Sequence, residues 1–116
     1  VLVVEDEWLI RLAVSEGLRE TGWRVVEAAD GVEAIDYIQS GAPLDLILSD
    51  VRMPGSVDGL ALLTFAKRTL PDVPVILSSG HLEPAQAIAA GATDFLGKPY
   101  RIMELEKIIV RSLAGK

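Results

Sequence analysis

The hydropathy of this chain changes period again and again along its length. Short runs rich in β-branched residues alternate with longer stretches whose apolar residues recur at helical spacing. Val1 to Val4, Trp23 to Val26, Leu44 to Leu48, Val73 to Leu77 and Thr93 to Leu96 read as strands, and the first, third and fourth are nearly all apolar. Runs of that kind suit strands buried on both faces. Between them, Glu7 to Thr21 places Ile10, Ala13, Val14, Gly17 and Leu18 on one helical face, with Gly22 at the position of a left-handed cap. Asp30 with Glu33 reads as a capping box opening a helix that ends near Gly41. Asp58 caps a helix through Leu70 that stops before Pro71. Pro84 opens a short helix that ends at Gly91, its reach at most Glu83 to Ala90, and Tyr100 to Leu113 is the last helix. Five strand-helix units with short connections predict an α/β fold, a doubly wound parallel sheet with helices on both faces and right-handed crossovers.

At 116 residues the chain has room for one domain, residues 1–116, with a substantial core. Its longest apolar runs, such as Val1 to Val4 and Leu60 to Leu63, fall far short of the roughly 18 residues of a membrane span. A net charge of -6 and the lack of a basic stripe argue against direct binding of nucleic acid. With no cysteine there is no disulfide framework or thiolate metal site, which suits the cytoplasm. The chain opens at Val1 without Met or a secretion signal, as a segment trimmed from a longer protein would.

In an open parallel sheet, ligands bind beyond the carboxyl ends of the strands, where the strand order reverses. There the first strand leads into Glu5 and Asp6, the third into Asp50, the fourth into Ser78 and Ser79, and the fifth is followed by Lys98 and Pro99. In a strand order 2-1-3-4-5 the acids of strands 1 and 3 become neighbours. Crowded carboxylates either protonate or recruit a cation, and hard oxygen ligands without His or Cys favour Mg²⁺.

In this order, Val3-Val4-Glu5-Asp6-Glu7, Leu46 through Pro54 with Asp58-Gly59, Pro74 through Gly80, Gly91-Ala92 and Lys98-Pro99 resemble the receiver domains of two-component response regulators. The resemblance spans essentially the whole chain. It implies the flavodoxin-like order 2-1-3-4-5, with Asp50 as phosphoacceptor and Glu5, Asp6, Asp50 and the backbone carbonyl of Arg52 as the Mg²⁺ site. Ser79 would hydrogen-bond the phosphoryl group and Lys98 would pair with Asp50 or its phosphoryl oxygens. Ser78 competes for the hydroxyl role, but Ser79 better matches the family's spacing from Pro74. Phe95 would be the aromatic that turns when Ser79 is drawn inward, remodelling the surface of helix 4, strand 5 and helix 5. Arg52 and His81 fall where the family tunes the lifetime of the phosphoryl group. The implied donor is a sensor histidine kinase or a histidine phosphotransfer protein, docking on Trp8, Ile10, Pro99 and Tyr100. A phosphorylation-dependent homodimer and a cis bond before Pro99 also fit the resemblance.

Each of these residues has a plainer reading. Glu5 and Asp6 suit the start of a helix, Asp50 a turn, Lys98 a solvated surface, and His81 an ordinary exposed position. The first three weaken because the residues arrive together at adjacent strand ends. The chain also departs from the family pattern. Glu5 replaces the more usual Asp, Gly55-Ser56 lengthens the loop before Asp58 by one residue, and the stretch from Ser79 to Lys98 is about one helical turn short. Competing functions are a pseudo-receiver that only binds partners, an aspartyl-nucleophile phosphatase and a flavodoxin-like cofactor module. The phosphatase would need a second Asp where Arg52 stands, and Glu5-Asp6-Glu7 would repel a cofactor phosphate.

Overall fold

The structure, a computed structural model, describes residues 1–81 and 84–115. Its elements run β1 (Leu2–Val4), α1 (Trp8–Glu20), β2 (Val26–Ala28), α2 (Gly31–Gln39), β3 (Ile47–Asp50), α3 (Gly59–Thr69), β4 (Val75–Ser79), α4 (Pro84–Ala89), β5 (Asp94–Gly97) and α5 (Ile102–Ala114). The strands form one parallel sheet in the order β2-β1-β3-β4-β5. From β1 the chain first adds β2 on one side, then crosses back to place β3 on the other. The reversal point therefore lies between β1 and β3, in the order that the resemblance implies.

Residue parity along the strands divides the core in two. Leu2, Val4, Ile47, Val75, Leu77 and Phe95 face a layer that includes Ala34 and Ile38 of α2, Leu62, Leu63 and Ala66 of α3, and Ala87 of α4. Val3, Leu48, Ile76 and Leu96 face α1 and α5 through Val14, Leu18, Leu105 and Ile109. The two helices of this second layer approach closely at Gly17, where a Cβ would stand 2.8 Å from Ile102 Cγ1.

The helix signals act largely as read. Asp30 Oδ1 accepts from Glu33 N–H at 2.9 Å, although Glu33 reaches back to the Ala29 amide rather than to that of Asp30. Asp58 Oδ1 caps α3 by accepting from Ala61 N–H at 2.8 Å. In the loop ahead of it Gly55 takes a φ of +92°, which favours glycine. α5 starts two residues later than expected, at Ile102, with Arg101 N–H donating to Glu104 Oε1 at 3.2 Å. The expected start of α4 at Glu83 lies outside the described residues.

Strand limits shift more. Apolar content placed the second strand at Trp23 to Val26, but pairing with Leu2–Val4 puts it at Val26–Ala28. Trp23 and Val25 instead pack against the α1/α5 layer as the chain approaches the sheet edge. β3, β4 and β5 begin later and run on through Asp50, Ser79 and Gly97. Backbone pairing with a neighbouring strand does not depend on side-chain polarity, so the ladder continues past the last apolar residue.

Candidate functional site

The carboxyl ends of β1, β3, β4 and β5 converge on one crevice. Strand pairing aligns Val4 with Ser49 and Asp50 with Ser78, so Glu5 and Asp6 emerge beside the end of β3. One carboxylate oxygen each from Glu5, Asp6 and Asp50 can be chosen so that all three lie within 4.8 Å of one another. Lys98 enters from the far side. Its ammonium donates to Glu5 Oε1 at 2.6 Å and to Asp50 Oδ2 at 3.1 Å. The peptide bond between Lys98 and Pro99 is cis, and Lys98 N–H donates to the Ser79 carbonyl at 3.1 Å, tying this loop to the end of β4.

Burial and charge oppose each other here. Glu5 is 5% exposed, which would be costly for a lone carboxylate, and the Lys98 ammonium offsets that cost. Burial pulls Lys98 down, but its hydrogen bonds to Glu5 and Asp50, with their charges, leave it above its ordinary range. Asp6 is raised, first by desolvation and then by its hydrogen bond with Glu5 and the negative charge there. An acid held above its usual range beside two others is a site short of positive charge. The donor set is hard oxygen throughout, which fits a small divalent cation such as Mg²⁺.

The two adjacent serines face different spaces. Ser79 lines the open cleft with Asp6, Asp50, Arg52, His81 and Lys98, and its Oγ accepts the His81 N–H at 3.0 Å. Ser78 turns to the opposite face and lines a narrow, partly enclosed cavity of about 10 Å³ with Glu5, Asp50 and Tyr100. Of the two, Ser79 is the one that lines the open cleft together with Asp50 and Lys98. Arg52 and His81 are exposed at the rim of the cleft. Phe95 lies half-buried beneath it in the α2/α3/α4 layer, paired in register with Leu77.

Of the expected docking residues, Trp8 stands out at 62% exposed and Pro99 is also exposed. Ile10, Pro99 and Tyr100 line an apolar groove of about 600 Å³ between the start of α1 and the loop after Lys98, together with Leu9, Ala13 and Ile102. Tyr100 is half-buried, and that burial pushes its hydroxyl up to about 12, so it is a neutral donor in ordinary conditions.

Two supporting residues carry no obvious signal in the sequence. Arg11 Nη1 donates to the Glu5 carbonyl at 2.8 Å while its Nε lies 3.4 Å from Glu27, pinning the acidic loop to β2. No spacing rule marks an arginine for this. Gly59 N–H donates to the Val51 carbonyl at 2.8 Å, and a Cβ there would fall 2.2 Å from the Asp50 carbonyl oxygen. Gly59 was legible only as part of the Asp58-Gly59 motif, not for this close approach.

The fold and site together define a doubly wound α/β domain with an acidic crevice and a lysine at its reversal point. The model of the response regulator receiver domain family matches residues 1–110, and this chain belongs to that family. It is 37% identical over 117 aligned residues to the DNA-binding transcriptional regulator NtrC of Escherichia coli K12, covering 98% of this chain and 24% of that protein. It is 38% identical to the sensor kinase CckA of Brucella abortus, covering 97% of this chain and 12% of that protein. The chain thus spans about a quarter or less of these curated relatives. The crystal structure of the receiver domain of NtrX from Brucella abortus superposes with a TM-score of 0.90 at 37% identity, covering 99% and 98% of the two chains. The chemotaxis protein CheY4 of Vibrio cholerae gives 0.87 at 33% identity, with 97% and 96% covered.

Proposed function

We propose that residues 1–116 act as a single receiver domain that takes a phosphoryl group onto Asp50. The observation that carries this reading is the Lys98 ammonium shared between Glu5 and Asp50, at 2.6 and 3.1 Å, beside a third acid at the strand-end crevice. A carboxylate nucleophile such as Asp50 needs no general base to attack. Its carboxylate oxygen bonds to phosphorus as the bond to the donor's leaving group breaks. For a phosphohistidine donor the leaving group is the imidazole of a sensor histidine kinase or phosphotransfer protein. Later attack by water on phosphorus releases inorganic phosphate and restores the carboxylate, so the product is a signal of finite life.

The transferred group carries charge on three equatorial oxygens, and the transfer depends mainly on position and neutralisation. Lys98 would move from the Asp50 carboxylate to a phosphoryl oxygen, and Ser79 would hydrogen-bond another. Glu5, Asp6, Asp50 and the Arg52 carbonyl are the residues that would hold Mg²⁺. Bound there, the ion supplies neutralising charge for the incoming phosphoryl group. Arg52 and His81, at the cleft rim, are placed to influence access of the hydrolytic water. Phe95 would shift as Ser79 is engaged, carrying the change to α4, β5 and α5, a surface that could serve a phosphorylation-dependent homodimer.

The decisive experiment is incubation with acetyl phosphate and Mg²⁺ followed by intact mass. A gain of one phosphoryl group in the wild type and none in Asp50→Asn is expected. Equal gain in both would refute the assignment, and no gain in either would favour a pseudo-receiver. For docking, Trp8 and Ile10 with Pro99 and Tyr100 offer an apolar surface beside the cleft, suited to a donor helix. Trp8→Ala should slow transfer from a cognate phosphohistidine donor while leaving acetyl phosphate labelling intact. Slowing of both would place Trp8 in the site's own structure instead.

A further inference from the structure

The narrow cavity under the crevice holds chemistry that the receiver reading does not use. Ser78 Oγ is fully buried and, among the described residues, meets no partner in hydrogen-bond geometry. Tyr100 shares the cavity wall, and the polar groups acting on its hydroxyl are Lys98, Glu5, Ser78 and Asp50. A buried serine or tyrosine hydroxyl ordinarily finds a partner, because leaving it unpaired costs the desolvation of that group. Here each is the natural partner of the other, directly or through one water, for which about 10 Å³ is close to the minimum space.

Connectivity makes that pair matter for the site. Ser78 is fixed to Asp50 by strand register, and Val51 N–H donates to the Ser78 carbonyl at 3.0 Å. By parity Asp50 and Ser78 point to the same face of the sheet, toward α1 and α5, the layer against which Tyr100 packs. Tyr100 is separated from Lys98 by Pro99 alone. A hydroxyl pairing of Ser78 with Tyr100 would complete a ring of constraints from Lys98 Nζ to Asp50, across the β3–β4 ladder to Ser78, to Tyr100, and back through Pro99 to Lys98.

We propose that the Tyr100 and Ser78 hydroxyls close this ring and hold Lys98 in line with Asp50, making Tyr100 a positioning residue for transfer to the acceptor carboxylate. The proposal rests on the reading of Asp50 as phosphoacceptor. Tyr100 also forms a wall of the outer apolar groove. One side chain thus borders both the surface proposed for the donor and the space behind the acceptor.

The test is a double-mutant cycle of Tyr100→Phe, Ser78→Ala and the pair, read as acetyl phosphate phosphorylation at saturating Mg²⁺. Tyr100→Phe keeps the packed ring and removes only the hydroxyl. Each single variant should lower the maximal rate about fivefold, the size of one neutral hydrogen bond, at an unchanged half-saturating acetyl phosphate concentration. The double variant should lose no more than either single one. Unchanged rates with only a lower unfolding temperature, or losses that multiply in the double variant, would overturn the pairing while leaving the receiver reading intact. Wild-type protein that gains no phosphoryl group, or gains it equally as Asp50→Asn, would overturn both.

Discussion

Lys98 and Asp6 mark the two ends of the charge balance within the crevice. Lys98 is held charged by Glu5 and Asp50 against the pull of burial, whereas Asp6 has no cation of its own and is raised. The linkage sign for Asp6 follows. Between its ordinary value of 3.8 and the raised one, the folded state holds more proton than the unfolded state, so stability falls as pH rises through that window. At neutral pH the Asp6 charge therefore opposes folding when no metal is bound. Asp6→Asn should raise the thermal midpoint at neutral pH in chelator and weaken the further rise on adding Mg²⁺. A lower midpoint in chelator would mean that the carboxylate is stabilised by interactions that outweigh its crowding.

Among the elements, the start of α3 bears most directly on the site. Asp58 caps the helix and Gly59 places its first turn against the backbone of Asp50 and Val51. With 2.2 Å between a built Cβ and the Asp50 carbonyl oxygen, any side chain forces either the helix or the strand end to move. Gly59→Ala should cost about 2 kcal/mol in urea denaturation, as overpacking does, and slow labelling of Asp50. Normal stability and labelling would show that α3 slides freely on the end of β3. α4 is the contrasting element. It spans six residues, Pro84–Ala89, of which only Ala87 is buried, while Ile88 is exposed. At this length it is held mainly by its packing against β5 rather than by its own helical propensity.

Across the whole molecule, the sheet is anchored by two apolar layers, and α4, with one buried residue, lies beside β5. Under the proposed reading, this is where a change at Ser79 would be transmitted. Amide exchange should therefore be fastest, among the helices, in α4 and should change most on binding a phosphoryl mimic. Protection equal to that of α1, with no response to the mimic, would direct the signal to another surface. The exposed apolar residues Trp8, Leu9 and Met103 lie away from α4, on the side of the molecule formed by α1 and α5. No helix among the described residues is long and apolar enough to cross a membrane.

By itself the sequence determined the alternating α/β architecture, because strand and helix periods are written in the spacing of apolar residues. It also determined the acidic strand ends and Lys98, since charged residues at the ends of buried strands have few other places to go. The limits of the strands were decided by pairing, which carried β3 and β4 through polar residues and placed β2 after Trp23 and Val25. The sequence ranked Ser79 over Ser78 only by resemblance, and the packed sheet assigned the two serines to different spaces, because side-chain parity acts once register is set. Likewise Arg11 on the Glu5 carbonyl, Gly59 on Asp50 and Tyr100 beside Ser78 are contacts between segments distant in the chain. Local propensity has no term for such contacts, so they emerge only when the layers close on one another.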